Sequence, residues 1–241
     1  MEFPGSLRMS EPSASRPIVG VDGCRAGWVA AIDDGPTISH YEVYSSFEKL
    51  LDGCRGLVVI DVPIGLTETV PRAADSAARK ILRHRGCCVF PAPYRAMITA
   101  RSHTEASAIR ETIDGKRCSV QAFCIFPKIA EVDLSMTPVL QERVSEGHPE
   151  VSFTALLEGV PLDDRKSTPS GQARRLEALL PHFPALDAVM AQRRSSGVAR
   201  DDILDAFVML WTARRVAAKI AVSVPREEQL DSKGLLMRIV A

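Results

Sequence analysis

The chain has 241 residues, 46% hydrophobic and 25% charged, which supplies a sizeable core and excludes a disordered chain. Lys and Arg number 30, as do Asp and Glu, so no global basic field underlies any nucleic-acid contact. No apolar run approaches the roughly 20 residues of a membrane helix, no basic-then-apolar signal opens the chain, and the six cysteines include no CxxC pair, which predicts a cytoplasmic protein without a structural zinc site.

Residues 1–16, rich in Ser, Pro and Glu, predict a disordered leader, leaving 17–241 as a single domain. Strand-like runs follow at 18–22 and 28–32, and 37–44 alternates apolar and polar side chains as a half-buried strand does. Turns at 23–27 and 33–36 make these three an antiparallel meander. Ser45 or Ser46 caps a short helix through Phe47, Leu50 and Leu51, ended by Gly53. Leu57 to Pro63 is a continuous apolar run of the buried parallel type, interrupted by Asp61 at its end.

From Pro71 to about 142 the pattern turns helical and basic, with helices expected at 71–82, 100–113 and 128–142. Between Arg72 and Lys128, 11 Lys and Arg face 4 Asp and Glu. Two readings stand side by side, a phosphate-facing surface and a set of solvated helix faces. A short strand at 143–148 leads into a helix from Pro149, and helices follow at about 171–180, 184–193 and 201–221, the last carrying core residues Ile203, Leu204, Phe207, Leu210, Trp211 and Val216. Cys24, Cys54 and Cys124 read as small buried hydrophobes, and vicinal Cys87-Cys88 is a poor metal clamp.

Acidic residues recur at the ends of these elements: Asp22, Asp61, Glu146 or Glu150, and the run Asp201-Asp202-Ile203-Leu204-Asp205. On a helix Asp202 and Asp205 point from one face. Singly, each has a plain structural reading: Asp22 as an Asx-turn, Asp61 as a turn carboxylate, Asp201 or Asp202 as a helix cap. Together they form a set that is costly to bury unless a cation neutralises it, and all-oxygen ligation suits Mg²⁺ or Mn²⁺. His148 reads first as a hydrogen-bonding partner of this cluster and second as a general base. His40, His84, His103 and His182 show no partner in sequence, and no Ser or Cys has a matching base, which argues against a triad hydrolase.

The spans Gly20-Val21-Asp22-Gly23-Cys24-Arg25-Ala26-Gly27-Trp28, Ile60-Asp61-Val62-Pro63-Ile64-Gly65-Leu66, Val89-Phe90-Pro91-Ala92-Pro93, Gln121-Ala122-Phe123, Pro127-Lys128-Ile129, His148-Pro149-Glu150-Val151-Ser152-Phe153 and Asp202-Ile203-Leu204-Asp205-Ala206 resemble, in this order, the DUF429 family of predicted nucleases. The resemblance covers about 17–222. It implies an α/β, RNase H-like fold: a five-stranded mixed sheet in the order 3-2-1-4-5, flanked by helices, with a helical insertion (71–142) between strands four and five. A more distant similarity to RuvC-type resolvases implies Asp22, Asp61, Asp202 and Asp205 as metal ligands. By the same resemblance Glu150, and less so Glu146, is a neighbouring acid of the catalytic set, and Lys128 and Lys166 neutralise phosphate charge; Arg25 and His148 join them as candidate substrate-binding residues. Lys116-Arg117-Cys118 departs from the glycine-rich approach to the Gln121 motif. The implied activity is a two-metal-ion, water-nucleophile nuclease, with a homodimer suited to a two-fold symmetric substrate. A binder of nucleic acid or nucleotide without turnover is the alternative. A sugar-kinase-like ATPase would need a second Asp-Gly hairpin domain, for which this length leaves little room.

Overall fold

A computed structural model describes residues 16–35, 39–192 and 197–241. The leader expected over 1–16 lies, apart from Arg16, outside the described residues, as does the start of the strand expected at 37–44. Strands β1 (Ile18–Cys24), β2 (Gly27–Asp33) and β3 (His40–Tyr44) form the antiparallel meander. Its tight turn needs Gly27: φ is 132°, and a Cβ there would stand 2.1 Å from the Tyr44 carbonyl oxygen. Ser46 caps α1 (Phe47–Gly53) by accepting from the Lys49 amide, and β4 (Leu57–Ile60) then enters parallel to β1.

The expected five-stranded sheet is corrected to seven. Its order is β3-β2-β1-β4-β5-β7-β6, where β5 is Val144–Gly147, β6 is Ser223–Val224 and β7 is Ile239–Val240. The 3-2-1-4-5 order is present within it. Strand β7 runs parallel to β5, and β6 closes the edge antiparallel to β7. Two-residue strands are too short to show alternation, so their pairing arises from contacts distant in sequence.

Between β4 and β5 lie α2 (Ala73–Leu82), two 3₁₀ turns (Arg83–Cys88 and Arg95–Met97), α3 (His103–Asp114), α4 (Val120–Cys124), α5 (Phe126–Ser135) and α6 (Pro138–Gln141). The helix expected across 128–142 is broken: Met136 is extended, Thr137 caps a new turn, and Pro138 cannot continue the preceding ladder. After β5 come α7 (Pro149–Leu156), α8 (Pro169–Leu179), α9 (Leu186–Ala191) and α10 (Arg200–Ala217).

Alternation in β1 and β4 divides the core into two layers. Val19, Val21, Val58 and Ile60 pack toward α1, α4 and α5, whereas Val59, with Val29 and Ala31 of β2, faces α8 and α10. Helix α10 lies directly on β1 because Gly20 has no side chain: a Cβ there would stand 1.9 Å from Leu210 N and 2.3 Å from Ala206 O. That close approach brings the first turns of α10 to the end of β1. Among the described residues, no helix is long and apolar enough to cross a membrane.

Candidate functional site

Parallel register sets the first two acids side by side. Val21 pairs with Ile60, so the next residues, Asp22 and Asp61, stand side by side where the parallel β1–β4 pairing ends, two residues before β1 itself does, and the Asp61 amide donates to the Val21 carbonyl at 2.9 Å. Ligands favour such carboxyl ends of parallel strands. Helix α10 adds Asp205, fully buried, and Asp202 one turn earlier. Burial pushes the Asp22 carboxyl well above its ordinary value, and the charges of Asp61, Asp205 and Asp202 push it further. Asp61 is raised to about 7, first by burial and then by Asp205 and Glu150, against the pull of Lys166. The four predicted ligands therefore form one electrostatically coupled group.

Two plain readings also hold in part. One oxygen of Asp22 accepts from the Gly23 amide at 2.8 Å, and one of Asp202 accepts from the Ala199 amide at 2.7 Å, capping α10. Asp205 is different: Lys166 Nζ reaches its Oδ2 at 2.7 Å, while its buried Oδ1 has no hydrogen-bond partner. Asp205 in turn holds the Lys166 ammonium well above its ordinary value, with Asp22 and Asp61 contributing. Among the described residues, no three His, Cys, Asp or Glu side chains close into a metal-ligating group. The donor chemistry nonetheless fits a hard divalent cation, because the set is all oxygen, mutually repulsive and holds one buried acceptor without a donor.

The remaining predicted residues separate by partner. His148 stands at the cap position of α7, burial pushes its imidazole below the ordinary value against the pull of Glu150 and Asp205, and its Nδ1 is buried and unpartnered. Glu150 lines the same cleft but rests on fully buried Arg175, Nη2 to Oε1 at 2.5 Å. Glu146 is consumed: Arg72 bonds both its oxygens, and the Ile64 amide donates to Oε2 at 2.8 Å. Burial works against the Arg72 charge, but Glu146 and Asp75 overcome it and hold the guanidinium above its ordinary value. Lys128 lies on the Trp28 ring, 4.3 Å from its centroid, and donates to the Gly27 carbonyl. Arg25 is exposed at the hairpin tip, away from the cleft lining.

The cleft over these carboxylates encloses about 700 Å³. The basic excess of 72–128 supplies little of it, because Arg72, Arg95 and Arg110 are spent in ion pairs with Glu146, Asp231 and Asp114, and Arg79 holds the Val89 carbonyl. Among the described residues of that stretch, Arg85 and Lys128 are the cations that line this cleft, and Arg85 was not singled out from sequence. Its signal there was no stronger than that of its basic neighbours. Cys124, expected buried, is exposed, because Ala122 is the residue that five-residue α4 buries. His84 and His103 find partners invisible in sequence, the Asp163 carboxylate and the Cys118 carbonyl, each at 2.7 Å.

A family model described as protein of unknown function (DUF429) matches residues 20–230. The chain belongs to the DUF429 family. That span runs from β1 through α10 and takes in every carboxylate of the cluster. No curated protein and no solved structure matches this DUF429 chain.

Proposed function

We propose that this DUF429 protein is a divalent-metal-dependent nuclease of RNase H-like fold, hydrolysing phosphodiester bonds with water as nucleophile. The observation that carries the reading is the coupled group Asp22, Asp61, Asp202 and Asp205 at the carboxyl ends of β1 and β4 and the start of α10. The antiparallel meander continued by parallel β4 and β5 supports the fold assignment. Asp22, Asp61 and Asp205 would hold Mg²⁺ or Mn²⁺, with Asp202 completing the set; bound there, the metal supplies activated water and neutralises developing phosphate charge. Lys166, half exposed and reaching inward to Asp205, is placed to transfer its charge to a phosphate oxygen. His148, whose buried Nδ1 has no partner, would take the proton of the attacking water.

The test is cleavage of linear and branched DNA and RNA across a Mn²⁺ titration. Wild type should cleave in proportion to bound metal, and Asp22→Asn should keep its circular dichroism spectrum while losing roughly 10²-fold or more in rate, the scale of removing a charge-stabilising group. Equal rates in the two proteins sink the reading. The Lys166–Asp205 pair favours one second reading, a binder without turnover, since an internal cation already balances part of the cluster. Metal-insensitive binding and no product on any of these substrates would select it.

A further inference from the structure

The cleft pairs its acidic floor with a surface that no metal site requires. Phe90 is 45% exposed and Ile125 38% exposed, and both line the cavity. Two large apolar side chains, one of them aromatic, thus face the cleft beside carboxylates, which suits a contact surface. The backbone that carries the ring is held on both sides. On one side Arg79 grips the Val89 carbonyl with Nε at 3.0 Å and Nη2 at 2.7 Å; on the other, Asp75 accepts from the Ala92 amide at 2.8 Å. These partly buried hydrogen bonds fix the backbone on both sides of Phe90, and Pro91 restricts it further.

The same cleft carries cations of separate origin: Arg165 and Lys166 from the loop before α8, and Arg85 from the first 3₁₀ turn. Arg85, Arg165 and Lys166 thus reach the cleft from two separate segments of the chain. A stacking platform beside a cationic track is the physical recipe for holding bases and backbone of one strand. The bases of a double helix are stacked on one another and would have to unstack before one of them could meet the ring.

We infer that the substrate reaches this site as an unpaired strand, one base stacked on Phe90 against Ile125 and the adjoining phosphates on Arg85, Arg165 and Lys166; the inference rests on the nucleic-acid reading of the site. Single strands, whether DNA or RNA, are the substrate class, with duplexes excluded unless locally melted.

The test is fluorescence anisotropy in Mg²⁺ with labelled single strands and blunt duplexes of the same sequence, in the Asp22→Asn background so that no turnover intervenes. Single strands should bind at least about tenfold more tightly than duplex, and adding Phe90→Ala should weaken them about fivefold or more, the scale of one lost base stack, without moving duplex affinity or Tm. Phe90→Trp should restore the lost affinity. Duplex binding equal to single-strand binding, or an unchanged affinity in Phe90→Ala, overturns the inference. Single-strand binding that depends on Phe90, in a protein whose wild type cleaves nothing, supports it and overturns the nuclease reading alone.

Discussion

Asp205 is the residue on which the site turns, because it is buried completely, bonded by Lys166 on one oxygen and by nothing on the other. Lys166 and a divalent cation compete for the same charge, so Lys166→Met should tighten Mn²⁺ binding in calorimetry several-fold. In chelator the same variant should lose about 1–2 kcal/mol, less than a fully buried pair would cost because the Lys166 side chain is half exposed. Asp61 adds a pH dependence whose sign follows from its raised carboxyl, about 7 in the folded chain against an ordinary 3.8. Between those values the folded protein keeps a proton that the unfolded chain has released. The stability contribution is complete below about pH 4 and is lost as pH rises through about 7. Melting temperature in chelator should therefore fall from pH 5 to pH 8 by several degrees, at roughly 2–4 °C per kcal/mol for a chain of this size, and Mn²⁺ should flatten the curve. Asp61→Asn should remove much of the slope; an unaltered slope would contradict the coupling. These acids were legible in sequence because each ends a locally recognisable element. Their counter-ions were not.

Three elements make the cluster: β1 and β4, whose pairing sets Asp22 beside Asp61, and α10, which brings Asp205 to them. The last depends on Gly20. Because a Cβ there would meet α10 backbone at 1.9 Å, and backbone cannot rotate away as a side chain can, Gly20→Ala should cost about 3 kcal/mol or more. Urea denaturation measures it, and a loss under 1 kcal/mol would mean that α10 shifts freely. The glycine was visible in sequence within the first strand, but its partner helix begins 180 residues later. The break in the helix expected over 128–142 was within reach, since Thr137-Pro138 is a cap followed by proline; apolar periodicity on both sides concealed it.

The whole molecule closes through its C-terminal segment. Val222 and Ala241 exchange two backbone hydrogen bonds at 2.8 Å, β7 covers the edge of β5, and Leu235 and Met237 enter the core. Asp231 ties this segment to the insertion through Arg95 and to the Leu66 amide. Deleting 234–241 should expose the β5 edge, lower the melting temperature and promote association detectable by light scattering, since an open strand edge is a template for pairing. A truncated chain that stays monomeric with an unchanged melting temperature would contradict that role. Charge at this scale is likewise a tertiary matter: the basic run of 72–128 is divided among internal ion pairs, a partly buried carbonyl contact and exposed positions rather than gathered into one surface. By itself the sequence determined the meander, the buried fourth strand, most helices and the placement of Asp22, Asp61, Asp202 and Asp205 at element ends, because alternation, helical periodicity and turn chemistry act over a few residues. Only the tertiary structure decided which cation meets which acid. Lys166 and Asp205 lie 39 residues apart, Arg175 and Glu150 25, and Arg72 and Glu146 74. Those pairings, and the two short edge strands, are set by packing between distant segments, whose free energy no local pattern records.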